Sequence, residues 1–140
     1  MKRFFAALLA CLLIASVASA ATVRDLSDYA AVLGGSELKN GDARDPYIRF
    51  IQDGCTITLK LDQDEVVAAF IDGSRDPFLA YCSAALCIFD PDERMNSLGQ
   101  FLTMYLLAHT QEGHQDGQTS SGIFFFLEPS EDHMTFTIAK

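Results

Sequence analysis

The chain has 140 residues, of which 49% are hydrophobic and eleven are phenylalanine, so it can fill one core and disulfides would reinforce that core without replacing it. Its formal charge of −9 and the lack of any cluster of lysines or arginines argue against nucleic acid and anionic membrane surfaces, both of which are held through basic patches. An acid excess of this size bears on solubility and on the sign of a partner, not on the fold.

The first segment, MKRFFAALLACLLIASVASA, has a basic start at Lys2 and Arg3, an apolar run, and small residues at Ala18, Ser19 and Ala20. That layout predicts a cleavable secretory signal over residues 1–20, with a mature chain from about Ala21 that is periplasmic or secreted. The run is short for a membrane span, and no second long apolar segment follows. Lipoprotein processing at Cys11 is the weaker reading, because too little apolar sequence precedes that cysteine and too much follows it. Losing Lys2 and Arg3 with the signal moves the charge from −9 to −11.

Residues 21–140 read as one domain. Thr22, with Asp25 three residues on, predicts a capped helix whose apolar stripe is Leu26, Tyr29, Ala30 and Leu33 and which Gly34 and Gly35 stop. Residues 36–46 read as a polar loop. From Tyr47 the period changes to two, and Asp53-Gly54 between alternating runs is a strong hairpin signal. A two-residue turn there sets Gln52 opposite Cys55, Phe50 opposite Ile57, and Ile48 opposite Leu59, with Cys55 facing inward. A turn at residues 62–64 leads to a third strand, EVVAAFI, whose apolar residues on both faces suggest a central or doubly covered place.

Two segments then begin with Asp-Pro. Asp76 and Pro77 open a buried helix over residues 78–89, and Asp90 with Glu93 form a capping box for a second helix running to about Glu112. Residues 114–121 read as a loop, and the chain closes with a hairpin in which Met134, Phe136 and Ile138 alternate with His133, Thr135 and Thr137. The expected fold is therefore α+β: a single antiparallel sheet, made of a three-stranded meander plus a C-terminal hairpin, with about three helices packed on it. The order resembles the general plan of compact sheet-and-helix binding domains such as secretion chaperones and profilin-like modules, although no residue motif carries the resemblance.

Export places Cys55, Cys82 and Cys87 where disulfides persist. If residues 78–89 are helical, positions five apart lie about 140° apart around the axis with Cα atoms ~8–9 Å apart. A disulfide needs them within about 7 Å. Cys55 then pairs with Cys82 or with Cys87, closing a loop worth ~3–4 kcal/mol in the chain-entropy model. If instead these residues form a hairpin around SAAL, Cys82 bridges Cys87 and Cys55 is left over. One cysteine is odd either way, as a buried small hydrophobe or as the anchor of an intermolecular disulfide. A thiol-exchange role lacks the usual two-residue spacing at a helix start.

His109, Glu112, His114 and Asp116 form the one candidate metal set, since His109 and Glu112 have the i, i+3 spacing of a shared helix face. His114 lies beyond Gly113, and a polar helix end explains the same residues. No nucleophile elbow, phosphate-cradling glycine loop or calcium loop is present, so no catalytic residue and no cofactor is expected. The function these features favour is binding: a small acidic exported protein that covers a basic partner, in the manner of an inhibitor or immunity-type protein. Contact candidates are Glu37, Asp42 and Asp45, then Asp62, Asp64 and Glu65, then Glu128, Glu131 and Asp132. The alternatives are a periplasmic metal-binding protein and an assembly factor of an envelope machine.

Overall fold

The computed structural model describes residues 21–111 and 113–140. The expected signal segment with Cys11, and Glu112, lie outside the described residues. Three helices and seven strands follow one another as α1 (Val23–Val32), β1 (Asp42–Arg44), β2 (Tyr47–Gln52), β3 (Cys55–Asp62), β4 (Glu65–Gly73), α2 (Arg75–Phe89), α3 (Arg94–Gln111), β5 (Gln115–Gln118), β6 (Phe124–Pro129) and β7 (Met134–Ala139). The strands form one antiparallel sheet in the order β1-β2-β3-β4-β7-β6-β5. None of the described helices is long and apolar enough to cross a membrane.

Helix α1 starts as its sequence predicts. The Asp25 amide donates to Thr22 Oγ1 and the Thr22 amide donates back to Asp25, a complete capping box. Hairpin β2–β3 has the predicted register, Gln52 to Cys55, Phe50 to Ile57 and Ile48 to Leu59. Both turn residues are left-handed, Asp53 at φ 53° and Gly54 at φ 70°, as a two-residue turn matched to the strand twist requires. Strand β4 is central, fourth of seven, but it is not covered on both sides: Ile71 is buried while Phe70 keeps 38% of its surface in water.

Four features differ from the sequence reading, each for a physical reason. The sheet has two further edge strands, because β1 pairs with β2 within the polar stretch read as a loop and β5 pairs with β6 within the one after α3. Neither has apolar alternation to announce it, since an edge strand needs only a neighbour's backbone. At Gly117 in β5 a Cβ would meet Phe125 at 2.5 Å and Met104 at 2.6 Å, so the absence of a side chain there is what lets the strand lie close over the core. Helix α2 starts at Arg75, three residues before the predicted 78, with Ser74 and not Asp76 at the N-cap position and Asp76 inside the first turn. Asp90 does not cap α3, which starts at Arg94; it is the C-cap residue of α2, and its carboxylate is used elsewhere.

Helix α2 lies on β3, β4 and β7, α3 lies on β5 and β6, and α1 packs on α2. The core between these layers holds Ile57, Leu59, Ile71, Phe101, Phe125 and Phe136, all with no exposed surface. The helical form of residues 75–89 removes the hairpin alternative and with it the direct bridge from Cys82 to Cys87. No disulfide joins any two of Cys55, Cys82 and Cys87, in contrast to the single pair that the sequence favoured. Burial pushes Cys55 up to about 11 and Cys82 well above its ordinary value, so both thiols are protonated and unreactive at neutral pH. All three cysteines are at most 1% exposed, which keeps an intermolecular bridge out of reach of the folded surface.

A polar knot fixes the loop after α1. Tyr81 Oη donates to Asp53 Oδ2 at 2.5 Å and accepts from Gln52 Nε2 at 2.8 Å, while Gln52 Oε1 accepts from the Lys39 amide at 3.1 Å. The hydrogen bond from Tyr81 holds Asp53 below the usual carboxylate range. Because that pKa is depressed, the stabilisation is present above about pH 4 and is lost as pH falls through the folded value. Tyr81→Phe is expected to cost about 1 kcal/mol at pH 7. In urea titrations the difference from wild type should shrink on acidification; a constant difference would mean that Asp53 is not the group involved.

Candidate binding cleft

One end of the sheet is built from three separate parts of the chain. Strand β4 ends at Gly73, where α2 begins, and the β6–β7 turn comes alongside because Gly73 pairs with Met134. Helix α3 passes above, so Phe78 from α2, Tyr105 and His109 from α3, and residues 129–134 from the turn enclose a cleft of about 160 Å³. The Phe78 and Tyr105 rings stand 6.2 Å apart, tilted by 31°, and the His109 ring meets Tyr105 edge-on at 4.5 Å. Burial, together with the charge of Asp76, holds the Tyr105 hydroxyl above its ordinary value, so it is a neutral donor and acceptor across the physiological range.

The opposite wall is charged. Glu131 and Asp132 are exposed, and Asp132 Oδ1 lies 2.9 Å from His133 Nδ1. His133 Nε2 faces Asp72 Oδ2 at 3.7 Å. The hydrogen bond with Asp132, then the charge of Asp72, raise His133 above the usual histidine value, and the same bond lowers Asp132. Among the described residues lining the cleft there is no lysine or arginine. Two carboxylates beside the part-exposed Tyr105 ring suit a cationic group, while Phe78 backs the cleft from the core with no surface of its own exposed.

The predicted contact residues do not form one patch. Glu131 and Asp132 line the cleft, and Glu128 lies on β6 nearby. Asp62, Asp64 and Glu65 are at the far end of the sheet, where Glu65 is paired with Lys140. Asp42 pairs with Arg44 at 3.3 Å on edge strand β1, Asp45 follows that strand, and Glu37 is tethered through its carbonyl oxygen to Gln52 at 3.0 Å. The candidate metal set is also divided. His109 turns to Tyr105, whereas His114 stacks on Phe126 at 5.8 Å with Asp116 against Nε2 and Glu128 3.3 Å from Nδ1. Carboxylates on both ring nitrogens leave no lone pair directed at a metal. Among the described residues no group of three or more histidine, cysteine or acidic side chains is arranged to hold an ion.

Tyr105 and Phe78 escaped the sequence reading as site residues because helical spacing assigns them to the core stripe. Alternation marks His133 only as an outward member of a strand, and its adjacency to Asp132 is the signal the sequence offers. No protein-family model, curated protein or solved structure matches the chain. What the fold and the cleft define is a two-layer α+β domain, with helices on one face of an open antiparallel sheet and an acidic, aromatic-floored cleft at one end.

Proposed function

We propose that this is an exported binding protein for a basic protein partner, acting by occupancy and not by catalysis, in the manner of an inhibitor or immunity-type protein. Its end cleft takes a lysine or arginine side chain of that partner. One observation carries the reading: Glu131 and Asp132 share a cleft with the part-buried Tyr105, and its described lining supplies no cation of its own except histidine. The acidic surface adds long-range steering toward a basic target, an effect that falls with salt.

Hexa-arginine peptide is a direct probe, read by calorimetry at low salt. The peptide should bind, and Glu131→Gln combined with Asp132→Asn should weaken binding at least ~10-fold, or ~1.4 kcal/mol, without moving the thermal midpoint. No heat of binding at low salt, or binding that the double variant leaves intact, would refute the cleft. The pH dependence has a definite sign. His133 is raised above its ordinary value, so near neutrality it adds positive charge to the cleft and opposes a cation. Affinity should therefore increase as pH rises from about 6 to about 8 and His133 loses its proton. His133→Gln should flatten that rise, and His114, which does not line the cleft, serves as the control histidine.

A further inference from the structure

The helices cover one face of the sheet and leave the other uncovered. Strand pleating puts Tyr47, Ile51, Phe70, Phe124 and Phe126 on that outer side, with Ile51 71% and Phe124 57% exposed. Isolated exposed apolar residues are ordinary, but these share one face and stand among threonines of β3 and β7. Six strand spacings of ~4.8 Å and strands of about six residues make the face roughly 29 by 20 Å, or ~600 Å² in projection. That is near the ~800 Å² per partner of a stable interface.

The charges on this face are sorted by strand. The β1–β3 half carries Arg44, Arg49 and Lys60 against two acids, Asp42, which is cross-strand to Arg49, and Asp62, two residues beyond Lys60 on the same side of β3. The β5–β6 half carries Asp116 and Glu128 around His114. A chain that is acidic overall thus keeps three of its few basic side chains on one half of its apolar face, opposite a half of the other sign. We propose that the occupant of this face is a second copy of the chain, related by a two-fold axis running along β4. Rotation about that axis lays β2 over the second copy's β6 and β3 over its β7, because the strand order is symmetric about β4. In cross-strand register, Arg49 lies in one row with Thr58, Phe70, Thr137, Phe126 and Asp116. Each copy's Arg49 then meets the other's Phe126 and stands between its own cross-strand Asp42 and the other's Asp116, the cation that these two facing acids require, while Phe70 meets its own mate at the axis, Tyr47 meets Phe124 and Ile51 meets the stem of Glu128. Asp72, also near the axis, brings its own counter-charge in His133 at 3.7 Å.

Sedimentation of the purified protein tests this independently of the cleft. The wild type is expected at twice the chain mass. Phe70→Glu and Arg49→Glu should each weaken association at least ~10-fold with circular dichroism unchanged, and adding Asp116→Arg to Arg49→Glu should restore the dimer. Glu131→Gln with Asp132→Asn should leave the mass unaltered. A monomeric wild type, or a dimer indifferent to Phe70→Glu and Arg49→Glu, overturns the proposal; failure of the charge swap to restore the dimer overturns the two-fold arrangement.

Discussion

Asp90→Ala is expected to lower the unfolding free energy by about 3 kcal/mol, because it leaves the buried Ser97 hydroxyl without an acceptor and removes two further hydrogen bonds to the β5–β6 loop. Asp90 is 1% exposed. Its Oδ2 accepts from Ser97 Oγ at 2.7 Å and from the Ser120 amide at 3.1 Å, and Oδ1 accepts from Ser121 Oγ. One carboxylate therefore ties the end of α2 to the first turn of α3 and to the loop between β5 and β6. Hydrogen bonds to a charged acceptor contribute more than neutral ones, roughly 1.5–3 kcal/mol each before the lost partners are counted. Asp90→Asn keeps one acceptor oxygen and should cost about half as much. Urea titration measures the totals, and a double-mutant cycle with Ser97→Ala isolates the pair. Hydrogen exchange at the Ser120 amide should accelerate in Asp90→Ala, since the loop loses its tether. A variant within ~0.5 kcal/mol of wild type would show that the carboxylate is not the tie described.

Phe101→Ala should be costlier, about 3–5 kcal/mol. Phe101 has no exposed surface, meets Phe136 edge-on at 5.5 Å and 80°, and packs on Tyr105 at 6.2 Å. It is the side chain that seats α3 against β7, and truncation leaves a cavity that two layers of regular structure cannot fill by small shifts. Phe101→Leu keeps most of the volume and should cost ~1–1.5 kcal/mol. Because Tyr105 forms the cleft floor and rests on Phe101, hexa-arginine binding should weaken in Phe101→Ala even under conditions where the variant is folded. Full binding in a destabilised but folded Phe101→Ala would separate the cleft from the core beneath it.

The legible parts of this chain are those whose cause is local. The Thr22 box, the Asp53-Gly54 turn and the register it sets, the inward Met134, Phe136 and Ile138, and the helical character of residues 78–89 each depend on a few adjacent residues and a period of 2 or 3.6. Asp90 shows how a local rule can mislead: Asp-Pro followed by Glu93 has the form of a helix start, yet the carboxylate has stronger partners in Ser120 and Ser121, some thirty residues away. Of the cleft, Glu131 and Asp132 were legible as an acidic turn. Its aromatic floor was not, because Tyr105 and the fully buried Phe78 have the spacing of ordinary core residues, and only the place of Tyr105 at the end of the sheet leaves part of its ring exposed.

The sequence by itself determined the α+β class, the order of the main elements, the register of the β2–β3 hairpin and the acidic charge, since periodicity, turn chemistry and composition are properties of the chain before it folds. The tertiary structure alone decided the edge strands β1 and β5, the free state of Cys55, Cys82 and Cys87, the separation of His109 from His114, and the uncovered face of the sheet. Those outcomes depend on which distant segments are brought side by side. The free energy of such contacts comes from burial and from hydrogen bonds between residues tens of positions apart, and no local pattern encodes them.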